Sequence, residues 1–330
     1  GAIAQIGHGG IINNTSGTIT NTSGSIWVTD AQTLNLTGGA AADTYAMIGH
    51  GGSSWTSNNI SGQISLNVSG ETSLIAGTGP SWSDPLIGHR GTGTFSSANF
   101  LLRTGTLDES AATATDSTVG TILASNITEA NAKGDFTLVS ATNLTLGAPI
   151  SDPASSYILS LLSQGNVTIS SLGVSALTNT GTGALYLVAG YDGASGTTGI
   201  YGNPTGTLVD QTAFFNPSTT AGDITISSDI SYVGDINLIA GGSITVDNPV
   251  LLTTTGNFLA IVDNLNPVSP NYSATALFTN NGTITATQAT IYAVDATSTT
   301  LGNLSALPSV TGIWYGMPGA ITPGVNYKLP

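Results

Sequence analysis

Apolar and polar residues alternate along most of this chain in short runs divided by Gly, Asn, Asp and Ser. The densest run spans 222–262, GDITISSDISYVGDINLIAGGSITVDNPVLLTTTGNFLAIV. There Ile224 and Ile226, Ile236 and Leu238, and Ile244 and Val246 alternate with polar neighbours, as in strands with one buried face. Gly-Asp, Gly-Gly and Asp-Asn interrupt them at roughly 10-residue intervals, which predicts turns. The same texture recurs in DFTLVSATNLTLGAPI from Asp135, in GNVTISSLGVSAL and in GALYLVAGYDG.

The first ninety residues carry a different pattern, an internal repeat. AQIGHGG holds His8, AMIGHGG holds His50 and PLIGHRG holds His89, at intervals of 42 and 39 residues. Each box is followed by a polar Ser/Thr/Asn stretch. The first two then lead into strands, SGSIWVT at 23–29 and SGQISLNVSG at 61–70. A further apolar stretch, TLNLTGG at 33–39 or TSLIAGTG at 72–79, precedes the next box. With several short strands per period, the reading is two turns of a coil of roughly 20 residues each.

Short strands at this spacing suit an antiparallel sandwich or a parallel solenoid. Hairpins favour two-residue Asn-Gly or Asp-Gly loops. Asn281-Gly282 and Asp192-Gly193 are present, but most breaks differ. A 330-residue sandwich protein would also need two or three domains, and no linker-like boundary is visible. Stacked coils, each burying side chains against its neighbours, fit better. The expected fold is all-β, a right-handed parallel β-helix (β-solenoid) with loop excursions. At roughly 20–24 residues per coil and ~4.8 Å per layer its length is on the order of 70 Å.

Composition narrows the function. Four Lys and Arg against 18 Asp and Glu give a formal charge of −14, and charged residues are only 7% of the chain. So few cations cannot build a phosphate-neutralising face, which argues against nucleic acid and against anionic membrane surfaces. Charged helix formers are scarce, so long amphipathic helices are not expected. Hydrophobic residues at 40% supply a sizeable core, which argues against disorder. The absence of Cys excludes disulfides and thiolate chemistry. No apolar run approaches the roughly 18–20 residues of a membrane span. The opening GAIAQIGHGG has no basic n-region and reads as a mature product or an excised segment.

The IGHGG and IGHRG boxes, the Ser/Asn-rich segments after them and the GDITIS, GDINLIAGGSITV and ATNLTLGAPIS stretches resemble repeats of large filamentous-haemagglutinin-like bacterial adhesins. These belong to the two-partner secretion or autotransporter passenger type. The resemblance covers most of the chain in style and is most specific at the three boxes and at 222–262. It implies a secreted surface protein, with this chain an interior or carboxy-terminal part of a passenger.

Candidate chemistry is thin. His8, His50 and His89 recur in register. If a period is two layers, successive rings lie roughly 10 Å apart and cannot share a metal, so they read as repeat-marking structural residues. Parallel β-helices also host polysaccharide lyases and hydrolases, which pair carboxylates about 5–10 Å apart. Asp223, Asp229 and Asp235 form the densest acidic cluster, but Asp223 and Asp235 follow Gly at strand starts, where Asp bonds its own backbone in a turn. Arg90, Arg103 and Lys133 are scattered, and Asp108-Glu109 reads as a solvated loop or insertion. No GxSxG, HExxH or Walker loop occurs, nor a calcium nonapeptide or D-x-D-x-D run. No catalytic residue, cofactor or metal is therefore expected. Trp27, Trp55 and Trp82 sit in Ser/Thr/Asn-rich surroundings and are candidate ligand contacts of the kind glycans use, or lids over apolar side chains. Thr-rich stretches such as TSGTITNTSGSIWVT raise ice binding, which wants a regular Thr-x-Thr ladder that the drifting repeat does not promise.

The expected organisation is a solenoid section with IGHGG-type repeats over 1–102 and an insertion or irregular section over 103–134. A regular solenoid section over 135–305 and a Pro-rich terminal cap or linker over 306–330 follow. The expected function is an extracellular structural and adhesive rod on a bacterial cell surface, with no catalysis. Partners would be cell-surface or matrix glycans or proteins, or another copy joined end to end. The alternatives are a carbohydrate-active β-helix enzyme and an end-to-end polymerising filament subunit.

Overall fold

The computed structural model describes residues 2–9, 19–68, 71–75, 77–79, 83, 85–96, 100–104, 106–108, 136–140, 143–146, 149–152, 156, 158–191, 221–262, 276–293, 299–303 and 310–315. Among these residues every regular element is a strand and every strand pair is parallel. Up to Asp108 the strands come in fours. The first four are β1 (Ala4–Ile6), β2 (Ile19–Ser23), β3 (Ile26–Ala31) and β4 (Leu34–Thr37). Next come β5 (Ala46–Ile48), β6 (Gly51–Ser61), β7 (Ile64–Val68) and β8 (Glu71–Ile75). The third four are β9 (Leu86–Ile87), β10 (Arg90–Ser96), β11 (Phe100–Thr104) and β12 (Thr106–Asp108). Like members pair, so these twelve strands lie on four sheets, A to D in chain order.

From Phe136 onward the strands come in threes. They are β13 (Phe136–Ser140), β14 (Leu144–Leu146) and β15 (Ile150–Asp152), then β16 (Leu159–Ser163), β17 (Val167–Ile169) and β18 (Leu177–Asn179). After them come β19 (Leu185–Ala189), β20 (Ile224–Ile226) and β21 (Ile230–Tyr232), then β22 (Ile236–Ala240), β23 (Ile244–Val246) and β24 (Leu251–Thr254). The last described strands are β25 (Asn257–Ile261), β26 (Phe278–Asn280), β27 (Thr283–Thr285), β28 (Gln288–Ala293), β29 (Thr299–Thr300) and β30 (Val310–Tyr315). Through β27 the first strand of each three joins sheet C, the second sheet E and the third sheet F; β28 and β29 then join C and E, and β30 returns to sheet C.

Sheet C runs through both sections as ten strands. Its strand β11 pairs directly with β13, Phe100 with Phe136 through Thr104 with Ser140. Residues 109–135 lie between them in sequence and outside the described residues. Ten strands at ~4.8 Å span about 43 Å, shorter than the sequence suggested. Part of the difference arises because the period of about 40 residues is one layer and not two, and part because some later layers take up 51 and 31 residues. Ile6 pairs with Ile48 and Ile48 with Ile87, a full repeat apart. The polar stretch after the second box, which resembles turns, forms the 11-residue strand β6 and so uses up chain within one layer. In the later section the expected spacing occurs between Leu138 and Leu161 and between Leu238 and Ala260, whereas Leu187 pairs with Leu238, 51 residues on.

The interior is filled as the alternation predicts. Ile224, Ile226, Ile236, Leu238, Ile244 and Val246 are fully buried, and each meets an apolar partner in an adjacent layer. Each such residue buries an aliphatic side chain, about 1.5–3 kcal/mol of transfer free energy. Sheet C goes further, because its other face is apolar too. Val139, Leu162, Val188, Ile239 and Ile261 pair in one file that alternates with the core file and is 0–2% exposed. Burial on both faces is typical of parallel sheets. Val310–Tyr315, within the expected cap, adds the tenth strand by pairing with β28.

Candidate functional site

The three boxes converge on one file at the corner between sheets A and B. His8 and His50 stack with ring centroids 5.2 Å apart, and His50 and His89 stack at 5.0 Å with planes 7° from parallel. The expected separation of roughly 10 Å is therefore corrected: the boxes occupy adjacent layers because each repeat is a single layer. The backbone N–H of His8 donates to Nδ1 of His50 at 3.0 Å, and that of His50 donates to Nδ1 of His89 at 3.1 Å. An Nδ1 that accepts is unprotonated, so the ring proton sits on Nε2. It is donated to the carbonyl of Gly24 from His50 (2.7 Å) and of Gly62 from His89 (2.8 Å). Each inner ring thus ties its own layer to the preceding one at two corners.

The glycines make this approach possible. A Cβ on Gly49 would sit 1.8 Å from the carbonyl oxygen of Gly88, and its φ of +153° is one that L side chains rarely adopt. Gln5 adds a bracing contact, its amide donating to the carbonyls of Gly49 and Gly51. His50 and His89 are buried and His8 is exposed. Burial lowers the His89 pKa to about 4, with the neighbouring His50 acting in the same direction and the Gly62 hydrogen bond opposing. His50 is lowered by burial, and also by His8, against its bond to Gly24.

Both nitrogens of His50 and His89 are therefore engaged. Among the described residues no group of three His, Asp or Glu is placed to hold a metal ion. The file is built for cohesion between layers.

The acidic cluster has the same employment. Asp223, Asp229 and Asp235 each stand one residue before β20, β21 and β22, on three different sheets. The expectation that Asp223 and Asp235 bond their own turns is corrected. Each Oδ1 accepts a backbone N–H from the next layer: Ser243 for Asp223 at 2.6 Å, Leu251 for Asp229 at 2.7 Å, and Asn257 for Asp235 at 2.7 Å. Upstream, Asn143 accepts from Asn166 and Asn166 accepts from Asp223. Sequence could not show this ladder, because it needs to be known which residues stack. Asp235 also bears on Tyr186, whose phenol is pushed up first by burial and then by that carboxylate.

Trp27 is half-buried in β3, with Ser65 as its register partner. Trp55 falls in β6, on a different sheet, and its side chain lies outside the described residues, as does the whole of Trp82. The structure does not bring the three tryptophans onto one described platform. The side chains of Arg90 and Arg103, and all of Glu109 and Lys133, likewise lie outside the described residues.

A regular threonine file does exist, but not where the sequence drew attention. Thr145, Thr168, Thr225, Thr245, Thr279 and Thr300 pair in unbroken register on the outward face of sheet E. It is a single file. The neighbouring outward positions are the Asn143, Asn166, Asp223 and Ser243 ladder, already committed to backbone. Comparison with protein-family profiles, with characterised proteins and with solved structures finds no match to this chain.

Proposed function

We propose that this chain is a right-handed parallel β-helix serving as an extracellular structural and adhesive rod, part of a bacterial surface protein of the filamentous-haemagglutinin-like kind. The right hand follows from the strong preference of parallel crossovers for that sense. The observation that carries the reading is the ten-strand sheet C, with three sheets beside it in the first section and two in the later one, and with His89, Asp223, Asp229 and Asp235 spent on layer-to-layer hydrogen bonds. A molecule that uses His and Asp to hold successive layers together is organised for extension and rigidity. The low charge and the outward Thr and Ser files leave a hydroxyl-rich surface suited to glycans or proteins of a cell or matrix.

The enzyme alternative draws no support from the acidic cluster, since its members sit on three sheets with an oxygen of each engaged. No helix among the described residues is long and apolar enough to cross a membrane. The test is a paired assay on the purified chain. Binding to glycan arrays and to intact cells is expected, with no release of reducing ends or unsaturated products from a polysaccharide panel. Product release without retention on any surface would replace the adhesive reading with the enzymatic one.

A further inference from the structure

We infer that the Gly-His boxes form an acid-released clasp, closing the first three layers on one another at neutral pH and letting them part when the rings take up a second proton. The inference goes beyond adhesion and rests on the layering alone. His50 and His89 each work as acceptor at Nδ1 and donor at Nε2, a combination that only the neutral ring provides. A second proton has one place to go, Nδ1. There it converts the acceptor into a donor aimed at the N–H of the preceding layer, and the hydrogen bond becomes a repulsive contact. It also places like charges in a stack with rings 5.0–5.2 Å apart.

Among the described residues, little at this corner can absorb that charge. The titratable groups acting on the inner rings are the other histidines, His8 on His50 and His50 on His89. The other described groups bonded at this corner are uncharged: the Gly24 and Gly62 carbonyls and the Gln5 amide. His8 is exposed at the outer side of the stack. Burial holds the inner rings neutral to lower pH than a free imidazole.

The sign follows from linkage. Unfolded His titrates near 6.5 and folded His89 near 4, so the unfolded state binds more protons in between. The clasp is complete above about pH 6.5 and is lost as pH falls from there through about 4. Between Asn143 and Asp223 the same role of accepting an N–H from the next layer falls to Asn143 and Asn166, which do not titrate. The layers joined by Asn143 and Asn166 should therefore respond to acid differently from the box layers, whereas from Asp223 onward the acceptors are carboxylates.

The test is amide hydrogen exchange on the whole chain across this pH range, read beside the ring nitrogen signals of the histidines. At neutral pH the inner rings are expected to carry their proton on Nε2. As pH falls from 6.5 to 4, protection at the amides of His50 and Gly51 should drop at least about tenfold after correction for intrinsic rates, while Val167 and Ile169, beside the non-titrating Asn166, hold theirs. The variant His8→Asn, His50→Asn, His89→Asn supplies an acceptor near the Nδ1 position that does not titrate, and should remove the step. Protons on Nδ1 at neutral pH would overturn the proposal. So would protection that survives ring protonation, or an unchanged step in the triple variant. If that variant does not fold, the ring signals and exchange of the natural chain decide between the same two answers.

Discussion

Asp223 accepts the backbone N–H of Ser243 at 2.6 Å, one layer on, while its own N–H is held by Asn166 of the layer before. One side chain and one amide thus knit three successive layers at a single corner. Asp223→Ala should cost about 1 kcal/mol, because it strands one N–H at a partly wetted corner. Asp223→Asn keeps an acceptor oxygen and should cost less. Urea unfolding of the two variants distinguishes this from a catalytic carboxylate, for which both changes would abolish an activity and leave stability alone.

Thr72 presents the opposite case. It is fully buried in β8, and its hydroxyl has no hydrogen-bond partner among the described residues. Thr72→Val removes a dehydrated polar atom at nearly constant volume. A gain of about 1 kcal/mol is expected, seen as a higher denaturant midpoint with an unchanged slope.

Gly49 is pinned by a carbonyl that would collide with any side chain, whereas Gly173, at φ +69°, has no neighbouring atom within 4 Å of where a Cβ would go. Gly173→Ala should therefore cost only the left-handed backbone penalty, about 1–2 kcal/mol. Gly49→Ala must push two layers apart and should cost more than about 3 kcal/mol, or prevent folding of the first section. Equal effects in thermal melts of the two variants would refute the close-approach explanation.

Phe258 and Phe278 meet inside the later section with centroids 6.5 Å apart and planes inclined by 60°. Both are essentially fully buried. Phe278→Ala should destabilise by about 3–5 kcal/mol through lost burial and a residual cavity. A double-mutant cycle with Phe258→Leu and Phe278→Leu should leave a coupling of about 0.5–1.5 kcal/mol for the tilted pair.

The period-2 alternation at 222–262 was enough to place Ile224, Ile236 and Ile244 inside, because a strand's two faces follow from local geometry. Two-sided burial of sheet C also had a local signal, the adjacent apolar pairs Leu138-Val139, Leu161-Leu162 and Leu238-Ile239, which a strict alternation reading passes over. The histidine spacing was not legible in the same way. A repeat of about 40 residues is compatible with one layer of four strands or two of fewer, and the choice turned on whether Gly51–Ser61 is strand or turn. Its Ser, Thr and Asn favour turns, yet pairing with β2 and β10 on either side holds it extended. The duties of Asp223 and His50 were hidden for a related reason: their partners are 20 to 42 residues away, fixed only once the layers are stacked.

The change from four strands per layer to three has a mechanical consequence. Hydrogen bonds between layers point along the stacking direction, so a pull along that direction opens them one layer at a time. Freeing a layer between His8 and His50 releases 42 residues, roughly 140 Å of extended chain. Freeing one between Leu238 and Ala260 releases about 22 residues, roughly 75 Å. Under tension these two layers pay out chain with different strides.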